Sequence, residues 1–396
     1  MNPIKSISTG FADICRVFRT EMNAIVHDVG ALLFFVVLPL FYPIVYTLIY
    51  NPEVVDNLPV AVVDNCRSAE SRRLVRMIGA TPELEIYDYV PDMQEARRLW
   101  AEQKVVGVVE IPADYSRRIA LGEQAHVQFF CDMTLLLRYR AALNALTSVQ
   151  LAAGAEITQH RIDATGLLGG GVSASPVGVD TSFLGDTQQG FASFIIPGIV
   201  ILILQQSMVL GICLLRGTEE ERRRRGIPAP DSRMSSFATV FGRALTYVFL
   251  YFPATIYCLH FVPVWFHLPH QGEALQWILF ILPFLSASAM FGMMLSYCLR
   301  RREDCFIYIV FTSVVFLFLS GLTWPRFAMP SFWYALSDCI PATWGVEGFV
   351  RINSNAGTLY EQSGPYMWLW ALTGVYFVAS LILQKIRGCF ITKVKS

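Results

Sequence analysis

The sequence has few charged residues and lacks the common nucleotide-binding and hydrolase motifs. Only 16% of its 396 residues are charged, whereas a soluble globular protein carries about 25%. It contains no G-x-x-x-x-G-K-[ST] phosphate loop and no H-E-x-x-H, G-x-S-x-G or G-x-G-x-x-G pattern. The six histidines do not cluster at metal-ligand spacing. We therefore expect no enzymatic site, metal or bound cofactor in this chain.

Cysteine spacing gives no sign of a metal or redox site either. Nine cysteines occur at irregular intervals, and none forms a C-x-x-C pair. Cys66 and Cys131 lie in the same charged region of the chain. They either form a disulfide or are two separate small buried residues.

Of all residues in the sequence, 54% are hydrophobic, and many of them lie in long apolar runs. Six runs are about 20 residues long, which is the length that a helix needs to cross a membrane. They are Ala31–Tyr50, Phe191–Leu215, Phe237–Val262, Leu275–Leu299, Phe306–Trp324 and Tyr366–Leu383. The sequence therefore predicts a membrane domain of six helices.

Lys and Arg residues in the short connecting segments indicate the orientation. Nearly all of them fall on one side of the predicted spans, and the exceptions are Arg326 and Arg351. By the positive-inside rule that side is the cytoplasm. Both termini are therefore predicted to be cytoplasmic, and residues 51–190 extracytoplasmic.

Residues 51–190 have the pattern of an α/β domain. Short apolar or alternating runs at Pro59–Asp64, Leu84–Tyr89, Val105–Ile111 and Ala125–Phe130 predict strands. Segments with helical spacing separate them, which predicts a mixed or parallel sheet. A long helix is predicted over Leu135–Ile162, followed by a Gly/Ser/Thr-rich stretch at Gly166–Gly190.

Two cytoplasmic segments are candidates for contact with the membrane or a partner. Residues 1–30 repeat apolar positions every three to four residues, which predicts an amphipathic helix in the inner membrane interface or against a cytoplasmic partner. The loop 216–236 contains E-E-E-R-R-R-R-G. Its residues Glu219, Glu220, Glu221, Arg222, Arg223 and Gly226 form either a docking helix for a partner or a simple positive-inside signal.

The segment Ser320–Ile352, here called the broken segment, combines apolar composition with helix-breaking residues. Such a segment is typically re-entrant, or it covers the outer end of a helix bundle. Glu347 and Arg351 are four residues apart and should pair on one helical face. The other residues singled out here are Ser320, Gly321, Pro325, Met329, Pro330 and Pro341.

These residues carry a resemblance to a known family. The pattern S-G-x-x-x-P-x-x-x-M-P from Ser320 to Pro330, with V-E-G-F-V-R at Val346–Arg351, resembles permease subunits of ABC-2 type exporters. V-V-D at Val62–Asp64 and V-x-I-P-A-D-Y-S at Val109–Ser116 resemble the subfamily with a large extracytoplasmic domain. One departure is the loop after the second span, which in that family usually reads R-E-x-E-x-G-T.

The resemblance implies a half-transporter in the bacterial cytoplasmic (inner) membrane. Its fold would be an all-α, six-helix type V exporter-like domain with an inserted extracytoplasmic α/β domain. Its partners would be a second permease copy or paralogue and separate ABC ATPase subunits, which bind ATP and Mg²⁺. It would also contact membrane lipids, and no nucleic acid is expected as a partner. The cargo would be drug-like, lipid-like or otherwise amphipathic.

Two questions stay open at this point. The first is whether residues 51–190 dock a periplasmic adaptor protein, gate the exit or bind cargo. The alternative function is a membrane-anchored receptor or assembly factor that uses this domain as a binding module.

Overall fold

The computed structural model describes residues 3–50, 55–131, 136–164, 191–227, 234–268 and 270–394. The chain divides into two compact units, one of Met1–Glu53 with Phe183–Ser396 and one of Val54–Ser182. The predicted domain limits at 51 and 190 and the Gly/Ser/Thr-rich stretch 166–190 lie outside the described residues.

Helices dominate the structure. In chain order the elements are α1 (Pro3–His27), α2 (Val29–Leu32), α3 (Leu38–Tyr50), β1 (Leu58–Asp64), α4 (Ala69–Gly79), β2 (Leu84–Tyr89), α5 (Met93–Ala101), β3 (Gly107–Ile111), α6 (Tyr115–Leu121), β4 (Gln128–Cys131), α7 (Leu136–Ala164), α8 (Phe191–Arg224), α9 (Ser236–Ile256), α10 (Val262–Trp265), α11 (Ala274–Ser296), α12 (Asp304–Leu319), α13 (Ser331–Asp338), α14 (Pro341–Ser354) and α15 (Ser363–Val394). Five-residue π-helical turns join α2 to α3 and α9 to α10, so each pair forms one continuous run.

Within the described ranges, five helical runs are long and apolar enough to span a membrane. They are Val29–Tyr50, Ala192–Arg224, Ser236–Trp265, Ala274–Ser296 and Ser363–Ile386. Each contains one of the predicted spans or most of it.

The remaining predicted span, Phe306–Trp324, is shorter in the structure. Helix α12 has 16 residues and ends at Leu319, which corresponds to about 24 Å of helix. Gly321 follows with a φ angle of +84°, a left-handed conformation that favours glycine and ends the helix. Since α12 is shorter than the roughly 30 Å hydrocarbon core, the six-span count stays a prediction.

The core of the helical unit lies where α14 packs against α8 and α11. A Cβ atom on Gly345 would lie 2.6 Å from the Phe284 ring, so this approach requires glycine. Phe280, Phe284 and Phe349 are almost fully buried there. The second half of the broken segment is therefore an integral part of the bundle.

The Val54–Ser182 unit contains a four-stranded mixed sheet with strand order β2-β1-β3-β4. β1 pairs in parallel with β2 and β3, and β4 runs antiparallel to β3. Alternate residues of β1 enter two hydrophobic clusters, with Val60 and Val62 on the face covered by α4, α6 and α7, and Ala61 and Val63 on the face covered by α5. Because both faces are covered, the strand is apolar throughout.

The four predicted strands are all present, although β4 begins later than predicted, at Gln128. Ser68 and Ser71 form a reciprocal capping box at the start of α4. Gly122 ends α6 in the left-handed conformation, which favours glycine. Local sequence patterns thus describe this unit well.

Candidate functional site

The E-E-E-R-R-R-R-G run lies on α8 itself. This helix continues without a break from Phe191 to Arg224, so the charged residues extend the second predicted span. Gly217 allows the helix to approach the turn before α12, because a Cβ there would lie 2.7 Å from the Arg302 Cα. We call residues 13–30, 216–227, 236–247 and 297–303 the charged end of the bundle.

A buried cluster of ion pairs joins α1, α8 and α9 at the charged end. The Glu21 carboxylate accepts hydrogen bonds from Arg216 Nη2 and the Tyr247 hydroxyl, both at 2.5 Å. Arg243 Nε lies 3.5 Å from Glu21 Oε2, and its Nη2 donates to Glu219 Oε1 at 2.9 Å. Arg216 also pairs with Glu219. Together these side chains connect three helices through two carboxylates.

The burial of this cluster determines how much it contributes to the stability of the fold. The side chains of Glu21, Arg216 and Arg243 are each less than 10% exposed. An intact buried pair recovers its desolvation cost only through good geometry and further hydrogen bonds, and removing one partner costs about 3–5 kcal/mol. The cluster therefore fixes the relative positions of α1, α8 and α9.

A second ion pair holds the turn before α12. Arg302 donates to both Asp28 carboxylate oxygens at 2.7 Å and to the Thr218 hydroxyl at 3.0 Å. The Arg302 backbone N–H donates to Glu221 at 2.9 Å. Burial raises the pKa of Asp28, but the hydrogen bond and charge of Arg302, with the Ala31 N–H, lower it to a net value below the ordinary one. Asp28 therefore stays ionised and connects the start of α2 to this turn.

The three glutamates that the sequence suggested as a docking site face inward. Glu219 and Glu221 hold neighbouring segments, and the largely buried Glu220 pairs with Arg223 and Arg224. Carboxylates that already form pairs within the bundle are poor contacts for a partner. We therefore no longer interpret the three glutamates as the docking surface. Gly226 ends the run with a φ angle of +84°. The exposed members are Arg222, Arg224 and Arg225.

At the other end of the bundle, prolines divide the broken segment into short elements. Pro325 precedes a 3₁₀ turn at Arg326–Ala328, Pro330 precedes α13, and Pro341 is the first residue of α14. Met329 packs against the hydrophobic core, and Ser320 donates to the Leu317 carbonyl at 2.7 Å. The sequence signals for these breaks correspond to real element boundaries.

Arg326 organises the broken segment. Its guanidinium donates to Glu347 Oε2 at 2.7 Å and also pairs with Asp338. It lies 4.2 Å from the centroid of the Trp344 ring. Arg351 pairs with the other Glu347 oxygen at 3.0 Å, as the spacing of these two residues predicted. Glu347 thus lies between two arginines, of which only Arg351 was anticipated.

A histidine pair near this end was missed by sequence reasoning. His260 Nδ1 lies 2.8 Å from His270 Nε2, and the other ring nitrogen of His270 contacts the Asn353 side chain. The spacing of the histidines in the sequence gave no sign of this contact. His260 belongs to the π-helical turn after α9, so only the fold brings it to the 266–273 loop and the end of α14.

Cys66 and Cys131 are half-buried and pack against the same hydrophobic cluster of the sheet unit. Their thiols are not bonded to each other in the structure. Of the two alternatives that the sequence left open, the structure therefore has the separate small residues.

Chemical sites are not evident in the part of the chain that the structure describes. It contains no group of three or more His, Cys, Asp or Glu side chains that could hold a metal ion. The arrangements at the two ends of the bundle connect helices.

Comparison with known proteins identifies the family. The model of the ABC-2 family transporter proteins matches residues 30–382, and no curated protein matches the chain. Within the described ranges, this match covers all or nearly all of each helical run that could span a membrane, together with the sheet unit and the broken segment. The chain therefore belongs to the ABC-2 family of transporter proteins, as a membrane-spanning permease.

Proposed function

We propose that this permease is the transport subunit of an ABC exporter and that a separate ATPase subunit supplies the energy. The charged end carries this proposal. It presents Arg222, Arg224 and Arg225 on the surface, while the buried cluster beneath them joins α1, α8 and α9.

The continuity of α8 provides the route for mechanical coupling. Its 34 residues correspond to about 50 Å of helix, from the exposed arginines to the core against α14. Because Glu21 and Glu219 connect this helix to α1 and α9, force on the arginines would move the three helices together. The broken segment at the other end would respond, since α14 packs directly on α8.

The assembly follows from this division of labour. ATP and Mg²⁺ would bind to the partner ATPase, and a second copy of the chain or a paralogue would complete the membrane domain. The large apolar surfaces of α3, α12 and α15, which include the exposed side chains of Phe41, Phe311 and Val375, suit lipid or such a second copy. The positive-inside pattern supports a bacterial inner membrane with residues 51–190 outside.

The cargo would be an amphipathic molecule, drug-like or lipid-like, that leaves the membrane outward. The Arg326–Glu347–Arg351 group would then hold the exit side in its resting arrangement. A periplasmic adaptor protein is a further partner that the sheet unit has the size to bind.

One observation favours a second function, a receptor or assembly factor. A cavity of about 340 Å³ lies between α4, α6 and α7 and is lined by Glu70, Arg73, Tyr115, Glu156 and His160 among others. This is within the size range of small-molecule sites. A protein of this second kind would bind a ligand there without needing an ATPase.

The test is charge reversal at the exposed arginines. Replacing Arg222, Arg224 and Arg225 together by Glu should weaken association with the ATPase subunit by roughly tenfold or more, because an acidic ATPase surface that complements the arginines would then meet like charges. The permease should still insert and stay folded, since the buried cluster is unchanged. Association is measured by pull-down and by ATPase activity after reconstitution.

The matched control reverses three exposed arginines of the sheet unit, Arg72, Arg76 and Arg97. This variant should bind the ATPase normally. If the α8 variant binds as well as the control, or if no ATPase associates with either, the exporter proposal is wrong at its central point.

A further inference from the structure

A cavity at the charged end is not explained by ATPase docking. It has a volume of about 600 Å³ and lies among α1, the start of α2 and the end of α8. Its size matches that of sites for small molecules and lipid head groups. The cavity belongs entirely to the helical unit, at the end that the positive-inside rule places in the inner leaflet.

The charges around the cavity do not cancel. Its lining includes the carboxylates of Glu21, Glu219 and Asp28, and each of these accepts hydrogen bonds from arginine. Arg216, Arg243 and Arg302 supply those bonds. The lining also includes Arg222, for which no ion pair occurs within the described ranges. One positive charge therefore remains available in the cavity.

Two polar groups of α1 lie in the same lining as Arg222. Asn23 and His27 are both exposed, and His27 Nδ1 donates to the Asn23 carbonyl at 2.8 Å. This bond orients the imidazole. Because Nδ1 is already a donor, Nε2 donates to a phosphate oxygen when the ring is an imidazolium. A guanidinium, an imidazole and an amide are the groups that typically hold a phosphate.

Apart from Thr20 and Thr218, the remaining lining is apolar, which favours a lipid over a free anion as the ligand. Val29 and Ile227 are 83% and 54% exposed and lie in the cavity lining with Ala24. Apolar side chains exposed beside a cationic group are typical of protein surfaces in the membrane interface.

We propose that this cavity binds the phosphate group of an anionic phospholipid of the inner leaflet. Arg222 pairs with the phosphate, Asn23 and His27 hold its oxygens, and the first carbons of the acyl chains pack on Val29 and Ile227. The lipid thereby connects α1 to the end of α8 and stabilises the charged end. This inference does not depend on the ATPase, because the site is complete within one chain.

The test uses the full-length purified permease in detergent without any ATPase. Its thermal unfolding is followed as phosphatidylglycerol, phosphatidylcholine or inorganic phosphate is added. Phosphatidylglycerol should raise the Tm, because a ligand that binds only the folded state stabilises it. Phosphatidylcholine and inorganic phosphate at equal concentration should leave the Tm unchanged.

The variants compare two neighbouring arginines. Arg222→Glu should weaken phosphatidylglycerol binding about tenfold or more, because a charge-assisted contact is lost. Arg225→Glu, outside the cavity lining, should bind as the natural chain does. If Arg222→Glu does not fold, Arg222→Gln with His27→Ala provides the same comparison without a new negative charge.

Three results would overturn the proposal. Equal loss in the Arg222 and Arg225 variants would mean general attraction of lipid to a basic surface. An equal effect of inorganic phosphate would make the ligand a free anion. Phosphatidylcholine carries the same anionic phosphate, but its cationic choline makes the head group neutral overall. Equal stabilisation by phosphatidylcholine would therefore mean that the net negative charge of the head group plays no part.

Discussion

Glu21 is the residue on which the charged end depends most. Its carboxylate contacts Arg216, Arg243 and Tyr247, which come from two other helices. It occupies a position that the pattern of α1 would assign to an apolar residue, since Val17 and Ile25, four residues before and after it, are 1% exposed. An acid in an apolar stripe is therefore the sequence signal that could have identified it.

Replacing Glu21 by Ala should destabilise the helical unit strongly. Arg216 and Arg243 would lose a buried partner, at a cost of about 3–5 kcal/mol. Thermal unfolding of the purified permease should show a clear drop in Tm. Asp13→Ala is the matched control, because Asp13 and Arg16 on the same helix are more exposed and 4.0 Å apart, which makes their pair worth about 0–1 kcal/mol. Equal Tm values for the two variants would contradict the role given to Glu21.

His270 makes a different kind of contribution, because it titrates near physiological pH. Burial lowers its pKa from the ordinary value of 6.5, as does the neighbouring His260, while the hydrogen bond to Asn353 opposes them. Since the folded-state pKa lies below the unfolded one, stability is complete above pH 6.5 and falls as the pH drops below it. Acid should therefore loosen the contact between the 266–273 loop and α14.

Thermal unfolding at pH 8 and pH 5 tests this pH dependence. The Tm of the natural chain should fall more between pH 8 and pH 5 than the Tm of His270→Gln, because glutamine cannot take up the proton. His267→Gln, an exposed position of the same loop, should behave as the natural chain. A pH response that is identical in all three proteins would show that His270 is not responsible.

At the scale of elements, the two functional regions differ in how they are built. The charged end is held by ion pairs between helices, and α8 forms it by simply continuing past the membrane span. The broken segment is held within itself, since Arg326, Asp338 and Glu347 are all its own residues. The ion pairs of the charged end therefore join several helices, whereas those of the broken segment join its first half to α14.

The sheet unit is built as an element of its own. Both faces of its sheet are covered by helices of the same unit, and its clusters include fully buried residues such as Val62 and Val109. A structure that buries its apolar surface internally should fold alone.

Expression of residues 54–182 should therefore yield a folded α/β protein. It should show mixed helix and strand in circular dichroism and a single cooperative transition in urea. Val62→Asp should abolish that transition, because it places a charge where no side-chain surface is exposed. Absence of a cooperative transition in the natural fragment would mean that this unit needs the membrane helices.

At the scale of the whole molecule, the chain combines a membrane bundle with a unit that has its own core. The family match extends across both, from residue 30 to residue 382, so both units belong to the family's common architecture. The helical unit has ion pairs at one end of the bundle and a proline-divided segment at the other. Membership of the ABC-2 family implies an ABC ATPase as a partner in general.

The sequence by itself determined the features that depend on local periodicity. Long apolar runs located the membrane helices, short apolar or alternating runs located all four strands, and prolines marked the starts of α13 and α14. Glu347 and Arg351 were paired correctly because they are one helical turn apart. Five of the six predicted spans correspond to long helices, and the sixth was overestimated because Gly321 ends α12 early.

Only the tertiary structure decided which charged groups face inward. Glu21 and Arg216 are 195 positions apart, and His260 and Asn353 come from different helices, so no spacing rule could join them. Spacing also could not show that the side chains of Glu219–Glu221 face inward, because this depends on where α9 and Arg302 pack against α8. Helix spacing is a property of the backbone, whereas the burial of a charge depends on the neighbours that folding brings to it.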